Sequence, residues 1–447
     1  TLGAVQDGDG RHGCSCGGGV VVVAAAVGAD PFIPPRKDYC RNRFPSQCCR
    51  SGRDDDCSVP IQDTLCYCDE FCLRGSHDNG IWNNHGDCCP DFREVCLGEN
   101  SDPYFSKDEE AVCIHNGKTL AAGKHTFNCN ECSCEDGRLT CEEDQCLVDE
   151  ELIRRMHQHP LRHGWIAANH SIFWGRKLKE GLALRTGTFL PEEKTYNMIP
   201  ILLRPIPQRI PMEFDARQNW SGLISGVRDQ GWCGASWAFS SLDVAQDREM
   251  ILSGQPSIRL SVQELLSCTI PKVDCQGGYV EQAWGFSRIL GVMEETCYPY
   301  TSGQSENVSF CSRVSKHCKK YKTEPAFRIS SKVEDIQWEI LNNGPVQALM
   351  RVHSDLFLYK SGVYSCPQAD DQRPTAMHSV RIVGWGTEYS SKYSPVKYWV
   401  VANSWGTTWG EKGFFRIQRG TNECGIETFV LAVRGRKDPM VKRSIKS

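Results

Sequence analysis

One glycine-rich stretch decides how the rest of the chain is interpreted: Asp229-Gln230-Gly231-Trp232-Cys233-Gly234-Ala235-Ser236-Trp237-Ala238-Phe239-Ser240. It leads into an apolar segment in which Leu242, Ala245 and Met250 recur at helical spacing. We therefore expect a helix that opens at Ser236.

Two motifs further along the chain accompany this stretch. The first is Ala376-Met377-His378-Ser379-Val380, and the second is Asn403-Ser404-Trp405-Gly406. In this order the three motifs resemble those of papain-like cysteine proteases. The resemblance covers roughly residues 150–433, and three further segments make it strongest to cathepsin B: Phe214-Asp215-Ala216-Arg217, Val400-Val401-Ala402-Asn403-Ser404-Trp405 and Cys424-Gly425-Ile426-Glu427.

The resemblance implies an α+β fold with two lobes, one helical and one an antiparallel barrel-like sheet. It places Ser236 where the family has its nucleophilic Cys, His378 as the base and Asn403 as the residue that orients the imidazole. Gln230 corresponds to the glutamine that serves as an oxyanion-hole donor in the family. Gly277, Gly278 and Trp405 are expected to line the peptide groove, although the glycines could equally be kept because their loop needs them to fold.

The serine at the nucleophile position predicts a catalytically silent domain. In the papain arrangement a neighbouring imidazolium lowers the thiol pKa from ~8.5 to roughly 3–4, and a serine hydroxyl cannot form that resting ion pair. Loss of a hydrolase nucleophile costs on the order of 10⁶ in turnover. The alternative is a weak serine-type peptidase that uses Ser236, His378 and Asn403.

Composition indicates an oxidising compartment. Of 26 cysteines in 447 residues, 18 lie in the first 146, a density typical of small disulfide-bonded modules. The net charge of −4 gives no support for nucleic-acid binding. No apolar run is long enough to span a membrane, the longest being 20–27. Together with the glycosylation sequons at Asn169, Asn219 and Asn307, these features predict a secreted glycoprotein that needs no cofactor.

The N-terminal third is expected to contain two such modules. Ten cysteines between Cys40 and Cys96, with a Cys-x-Cys-Asp motif and the tandem pair Cys88-Cys89, resemble a somatomedin-B-like module. A zinc cluster is the competing interpretation, but its ligand pairs are usually Cys-x₂-Cys, so no metal site is expected. Six cysteines from Cys113 to Cys146 resemble a shortened von Willebrand factor type C module. Such modules usually bind partners, and the alternative is that they are spacers.

Residues 150–210 resemble the cathepsin B propeptide, through 164–170, 177–179 and Thr186-Gly187-Thr188-Phe189. In active relatives this segment runs through the cleft in the direction opposite to a substrate and is then removed. We expect Ile166, Ile172, Phe173 and Leu178 to pack against the large domain. The predicted boundaries are an N-terminal extension or signal remnant at 1–38, modules at 39–98 and 113–147 separated by a linker at 99–112, a propeptide-like segment at 148–210, the papain-like domain at 211–433 and a basic tail at 434–447.

Further expectations follow from the resemblance and from local composition. The resemblance implies the disulfides Cys233–Cys275, Cys268–Cys311, Cys297–Cys318 and Cys366–Cys424. Trp232, where active members usually have Ser, either narrows the groove or packs flat on the surface. The basic tail is either simply solvated or a contact for sulfated glycans.

The complete module order resembles the tubulointerstitial nephritis antigen family. That resemblance implies a secreted, matrix-associated protein without peptidase activity, which binds extracellular matrix or secreted and cell-surface proteins. A scavenger-type receptor or carrier of a secreted ligand is a further alternative.

Overall fold

The computed structural model describes residues 39–43, 47–49, 57–61, 64–68, 77–78, 81–82, 88–89, 91–98, 112–158, 164–312, 317–367, 375–389 and 394–434. The expectations for 1–38, for 99–111 and for 435–447 lie outside these residues, as do Cys14 and Cys16, to which the sequence assigns no role. The chain forms two compact units, Thr1–Glu109 and Glu110–Ser447.

The first unit is held together by sulfur more than by apolar side chains. Its described strands form two antiparallel pairs, β1 (Ser58–Ile61) with β2 (Thr64–Tyr67) and β3 (His77–Asp78) with β4 (Ile81–Trp82), followed by helix α1 (Phe92–Cys96). The buried cluster consists of cysteines around Phe92. Its disulfides include Cys40–Cys68, Cys48–Cys96, Cys49–Cys57 and Cys66–Cys89. The zinc interpretation would need thiolates, whereas these sulfurs are oxidised.

The second unit begins with the other cysteine-rich module. Its strands are β5 (Cys113–His115), β6 (Lys118–Leu120), β7 (Gly123–Phe127), β8 (Asn130–Glu135) and β9 (Arg138–Cys141), joined by the disulfides Cys113–Cys134, Cys129–Cys146 and Cys132–Cys141. The module does not stand apart from the propeptide-like segment. The Leu147 amide donates to the Arg176 carbonyl at 2.8 Å, and the Leu178 amide donates to the Gln145 carbonyl at 2.7 Å.

The propeptide-like segment is integrated into the large domain as an edge strand. It contains α2 (Glu150–Gln158), β10 (Trp165–Ala167), α3 (Leu178–Leu184) and α4 (Glu193–Tyr196), with short 3₁₀ turns at Ser171–Phe173 and Pro207–Arg209. Strand β10 pairs antiparallel with β16 (Tyr359–Tyr364).

Three of the four predicted packing positions in this segment hold. Phe173 and Leu178 are buried and Ile172 packs against the same core. The prediction for Ile166 was wrong, because its side chain is 47% exposed. Side chains alternate along a strand, and on β10 Trp165 and Ala167 take the core side.

The helical lobe is built around α6 (Ser236–Ser253), which starts at the predicted position and ends at Gly254 in the left-handed conformation. Around it lie α5 (Ala216–Asn219), α7 (Val262–Cys268), α8 (Val280–Ile289) and α9 (Ser302–Ser305), with the short strand pair β12 (Val292–Met293) and β13 (Lys320–Tyr321). Helix α6 is buried on nearly all sides and therefore forms the centre of the domain rather than one of its faces.

The other lobe is a nine-stranded, mostly antiparallel sheet in the order β10-β16-β19-β18-β17-β15-β20-β14, with β11 (Phe214–Asp215) also on β17. The remaining elements are β14 (Phe327–Ile329), α10 (Val333–Asn343), β15 (Val346–His353), β17 (Thr375–Glu388), β18 (Val396–Ala402), β19 (Phe414–Gln418) and β20 (Val430–Ala432), with 3₁₀ turns at Ser354–Leu358 and Glu423–Gly425. This two-lobed α+β architecture confirms the predicted fold class. No helix in the described part of the chain is both long and apolar enough to cross a membrane.

Candidate functional site

The site lies where the N-terminal end of α6 meets β17. Four polar side chains join these elements beside it: Ser240 donates to the Ser379 hydroxyl at 2.7 Å, and the Gln347 amide donates to the hydroxyls of Ser240, Ser241 and Ser379 at 2.8–2.9 Å. All four are buried, so breaking this network would leave unsatisfied polar groups. Ser236 on α6 and His378 on β17 are thereby held at a fixed separation.

His378 is bound as the sequence predicts. Its Nε2 lies 2.7 Å from Asn403 Oδ1, and the Ser404 amide donates to the same oxygen at 2.8 Å, which identifies Oδ1 as an acceptor. In the neutral ring Nε2 therefore carries the proton and Nδ1 is the free base. The buried Trp405 ring covers the imidazole at a centroid distance of 5.2 Å.

The imidazole is a neutral group at physiological pH. Burial lowers the pKa of His378 from 6.5 to about 4; the hydrogen bond to Asn403 opposes this shift and the nearby charge of Arg185 adds to it. In an active papain-like site the ring would instead be an imidazolium paired with a thiolate. Because position 236 is a serine, no thiolate is present to stabilise an imidazolium. A neutral His378 ring agrees with this.

Ser236 is not engaged by this base. Its hydroxyl lies 2.7 Å from the Thr188 hydroxyl, in the propeptide-like segment, and also accepts a 3.4 Å bond from the Ser379 amide. Among the described residues, His378 Nδ1 has no hydrogen-bond partner. A serine nucleophile needs a base within hydrogen-bond reach of its proton. That contact is replaced here by one to Thr188.

The predicted oxyanion donors face a carbonyl group of the same chain. The Ser236 amide donates to the Thr186 carbonyl at 3.3 Å, and Gln230 Nε2 approaches that oxygen at 3.4 Å. The shorter bond of Gln230 Nε2, 2.8 Å, goes to the Cys233 carbonyl, while its Oε1 accepts from the Ser404 hydroxyl at 2.6 Å. The carbonyl of Thr186 therefore occupies the position between the two donors.

Residues 187–189 fill the groove with backbone hydrogen bonds. The Gly278 amide donates to the Gly187 carbonyl at 3.0 Å, the Phe189 amide to the Gly278 carbonyl at 2.9 Å, and the Thr188 amide to the Met377 carbonyl at 3.2 Å. Thr188 and Gly278 form a parallel bridge. The predicted groove residues Gly277 and Gly278 thus contact the protein's own segment.

The fit depends on glycine at position 187. Its φ is +86°, and a Cβ atom added there would lie 2.3 Å from the Gly234 backbone. Across the groove, a Cβ atom on Gly277 would lie 2.6 Å from the Gly187 carbonyl oxygen. The predicted groove residue Trp405 also binds the segment, because its Nε1 donates to the Arg185 carbonyl at 2.5 Å.

Sequence reasoning missed three residues that shape the site: Arg185, Thr186 and Thr188. The motif Thr186-Gly187-Thr188-Phe189 marked the segment as propeptide-like, but nothing in it showed which hydroxyl would reach Ser236. The available signal for a segment lying close against the cleft was a glycine, Gly187, between two threonines.

Trp232 does not lie exposed on the surface, because the propeptide-like segment covers its ring. The Arg176 guanidinium lies 4.3 Å from the ring centroid, the Arg185 guanidinium 5.2 Å, and the Phe173 ring packs edge-on at 6.3 Å.

The structure also bears on the disulfides and glycosylation sites predicted from the sequence. All four pairs are disulfides: Cys233–Cys275, Cys268–Cys311, Cys297–Cys318 and Cys366–Cys424. The sequon asparagines Asn169, Asn219 and Asn307 are exposed, as glycan attachment requires.

Comparison with known proteins identifies the family to which the chain belongs. The family model described as papain family cysteine protease matches residues 210–434. A human protein named tubulointerstitial nephritis antigen-like is 41% identical over 431 residues, which cover 89% of this chain and 88% of that protein. This chain belongs to the tubulointerstitial nephritis antigen family. Human tubulointerstitial nephritis antigen itself is 35% identical over 428 residues, covering 89% of this chain and 87% of that protein.

The family's relation to active peptidases is seen in the solved structures. Procathepsin B S9 from Trypanosoma congolense matches with a TM-score of 0.57 and 30% identity, covering 65% of this chain and 99% of its own. A procathepsin L2 from Tenebrio molitor matches with a TM-score of 0.54 and 26% identity, covering 64% of this chain and 88% of its own. Both neighbours are proforms. Each match covers more of this chain than the papain-like domain alone, so it includes residues of the propeptide-like segment.

The buried neutral imidazole makes a testable contribution to pH-dependent stability. Because the pKa of His378 is lower in the folded protein than in the unfolded chain, the unfolded chain binds more protons between pH 6.5 and 4. Relative to His378→Gln, the parent should therefore lose about 2–3 kcal/mol of unfolding free energy as the pH falls from about 7.5 to about 4. Denaturant unfolding of both proteins across this range measures the difference. Parallel stability curves would contradict a buried neutral His378.

Proposed function

We propose that this protein is a secreted, catalytically silent member of its family that acts by binding extracellular matrix or secreted and cell-surface proteins. The observation that carries the proposal is the contact between Ser236 and Thr188. The serine hydroxyl is bound by the chain's own segment while His378 Nδ1 is left without a partner among the described residues.

Two properties support the secreted state. The disulfides of both cysteine-rich modules and of the papain-like domain need an oxidising compartment to form and persist. The three sequon asparagines are exposed, as glycan attachment requires.

Binding is assigned first to the disulfide-rich modules. Modules of this size bury little apolar area and are stabilised by their disulfides, so most of their surface is loop that can contact a partner. The basic tail gives a second surface, for sulfated glycans. It begins at the exposed Arg434, and residues 435–447 add five Lys and Arg residues against one Asp.

A second candidate function is a weak serine-type peptidase. The observation in its favour is the intact pair of His378 and Asn403, which leaves Nδ1 as the free base on the ring. A peptidase would require the Thr188 hydroxyl to move away from the Ser236 hydroxyl. A catalytically silent protein requires no such movement.

Labelling at residue 236 separates the two candidates. The parent protein should not react with a fluorophosphonate, whereas Ser236→Cys should react with a vinyl sulfone directed at papain-like thiols, slowly because the cleft is filled. Adding Gly187→Ala should accelerate that labelling by roughly 10-fold or more, because a side chain at positive φ costs about 1–2 kcal/mol before any steric overlap is counted. The rates are measured by mass spectrometry of the labelled peptide.

Gly222→Ala in the Ser236→Cys background is the matched control. Gly222 has φ +77°, and a Cβ atom there would meet nothing within 4 Å. It carries the same backbone strain away from the cleft and should leave the labelling rate unchanged. Fluorophosphonate labelling of the parent at Ser236, lost in His378→Ala, would establish the peptidase instead.

Matrix association tests the binding assignment. A variant lacking residues 1–109 removes the first compact unit and leaves 110–447 whole. It should be retained clearly less on a cell-derived matrix, because one of the two disulfide-rich modules is gone, while keeping the thermal transition of the papain-like domain. Undiminished retention would move the binding surface to 110–447, and truncation after Arg434 would then show whether the tail carries it. Affinity capture from conditioned medium that yields one soluble ligand and no matrix protein would favour a carrier.

A further inference from the structure

Trp232 stands at the centre of a contact between the papain-like domain and the segment in its cleft. Its backbone is fixed to the papain-like domain, because its amide donates to the Gly303 carbonyl at 2.9 Å. The ring faces the propeptide-like segment, with guanidinium groups at 4.3 Å (Arg176) and 5.2 Å (Arg185). An indole ring is the strongest of the aromatic side chains at attracting a cation placed over its face.

The deeper of the two arginines is also bound by polar groups of the papain-like domain. Arg185 Nη1 donates to Asp229 Oδ1 at 3.0 Å and to the Gly231 carbonyl at 2.7 Å. Arg185 is only 2% exposed, so its guanidinium has given up nearly all contact with water. A buried cation is tolerated only where a counter-charge and hydrogen-bond acceptors replace its hydration. Asp229 supplies the counter-charge, the Gly231 carbonyl supplies a hydrogen-bond acceptor, and the Trp232 ring supplies a cation–π contact.

We propose that Trp232, Asp229 and the Gly231 carbonyl form an arginine-binding site that keeps residues 164–191 in the cleft as a bound subunit when the chain is cut between residues 202 and 212. Arg185 occupies this site and Arg176 closes its outer side. Both hydrogen bonds come from Nη1, and the rest of the planar guanidinium faces the Trp232 ring, so the site is shaped for arginine rather than for the compact ammonium of lysine.

Two other sets of contacts would keep the cut segment oriented on the site. Strand β10 pairs with β16, and the buried His170 places Nε2 2.8 Å from the Tyr359 carbonyl. The cysteine-rich module holds the outer face of the segment, where Lys177 pairs with Asp144 at 2.6 Å and with Glu142 at 2.9 Å. After a cut between residues 202 and 212 the module remains covalently joined to residues 164–191, so the fragment that carries the bound segment also carries the module.

The connection to the papain-like domain is exposed to proteases. Leu202 is 68% exposed and Met212 is 70% exposed, and the 3₁₀ turn at Pro207–Arg209 is the only helical turn between them in this described stretch. No disulfide of the described residues joins 110–210 to 211–434. Retention after cleavage must therefore come from non-covalent contacts. This inference goes beyond the proposed function, because it concerns occupancy of the cleft and holds whether or not Ser236 reacts.

The test uses the full chain with residues 202–208 replaced by the recognition sequence of a site-specific viral protease. After complete cleavage, the fragment ending in the inserted sequence should co-elute with the papain-like fragment in gel filtration. Its dissociation rate is measured by capturing the papain-like fragment and following loss of the partner fragment in buffer. Trp232→Ser should raise that rate roughly 10- to 100-fold, from the loss of two cation–π contacts. Trp232→Phe should give an intermediate rate and Arg185→Lys should also raise it.

Trp338→Ser is the matched control, because Trp338 is a half-buried tryptophan on α10, and it should leave the rate unchanged. Immediate separation of the parent fragments on cleavage would overturn the inference. So would parental dissociation rates in both Trp232→Phe and Arg185→Lys, which decide the matter if Trp232→Ser does not fold. Peptide hydrolysis by the cut, still associated protein would contradict the proposed silence and leave the arginine-binding site standing.

Discussion

The backbone hydrogen bonds between residues 187–189 and the two walls of the cleft are the constraint on which the rest of the account depends. One wall is the loop containing Gly278 and the other is β17 at Met377, and the segment bonds to both. Because residues 187 and 188 are buried and their backbone groups are paired with both walls, the segment is as much part of the fold as a strand would be. The Thr188 hydroxyl reaches Ser236 only because this backbone is fixed.

The cleft itself is rigid for reasons that have no connection with catalysis. Helix α6 carries three buried charges: Asp247 is paired with Arg381 on β17, Arg248 with Glu339 at 2.8 Å and Asp243 with Arg228 at 2.7 Å. Removing one partner of such a pair leaves an uncompensated buried charge, which is strongly destabilising. These pairs, with the Ser240–Ser379 contact, hold Ser236 opposite His378 although the hydroxyl bonds to Thr188 and not to the imidazole. The geometry of the site is therefore maintained by packing that the domain needs in order to fold.

Sequence reasoning succeeded where a motif fixes local structure. The helix beginning at Ser236, the strand with His378, the bond from Asn403 and the four disulfides of the papain-like domain all follow from segments that resemble one family. It failed at Ile166 and gave no indication of what covers Trp232, because both depend on which face of the propeptide-like segment meets the domain. A one-residue shift on β10 exchanges core and solvent faces, and no motif at Trp232 specified that two arginines from 50 residues upstream would cover it.

The central claim is that the cleft is occupied by the protein's own segment in solution, and amide hydrogen exchange tests it most directly. The amides of Thr188, Phe189 and Gly278 each donate across the cleft and are predicted to exchange about as slowly as the interior amides of α6. The amides of Leu202, Leu203, Arg204 and Ile206, in the exposed connection, give the fast reference. Exchange at Thr188, Phe189 and Gly278 as fast as in 202–206 would show that the segment leaves the cleft and would contradict the account.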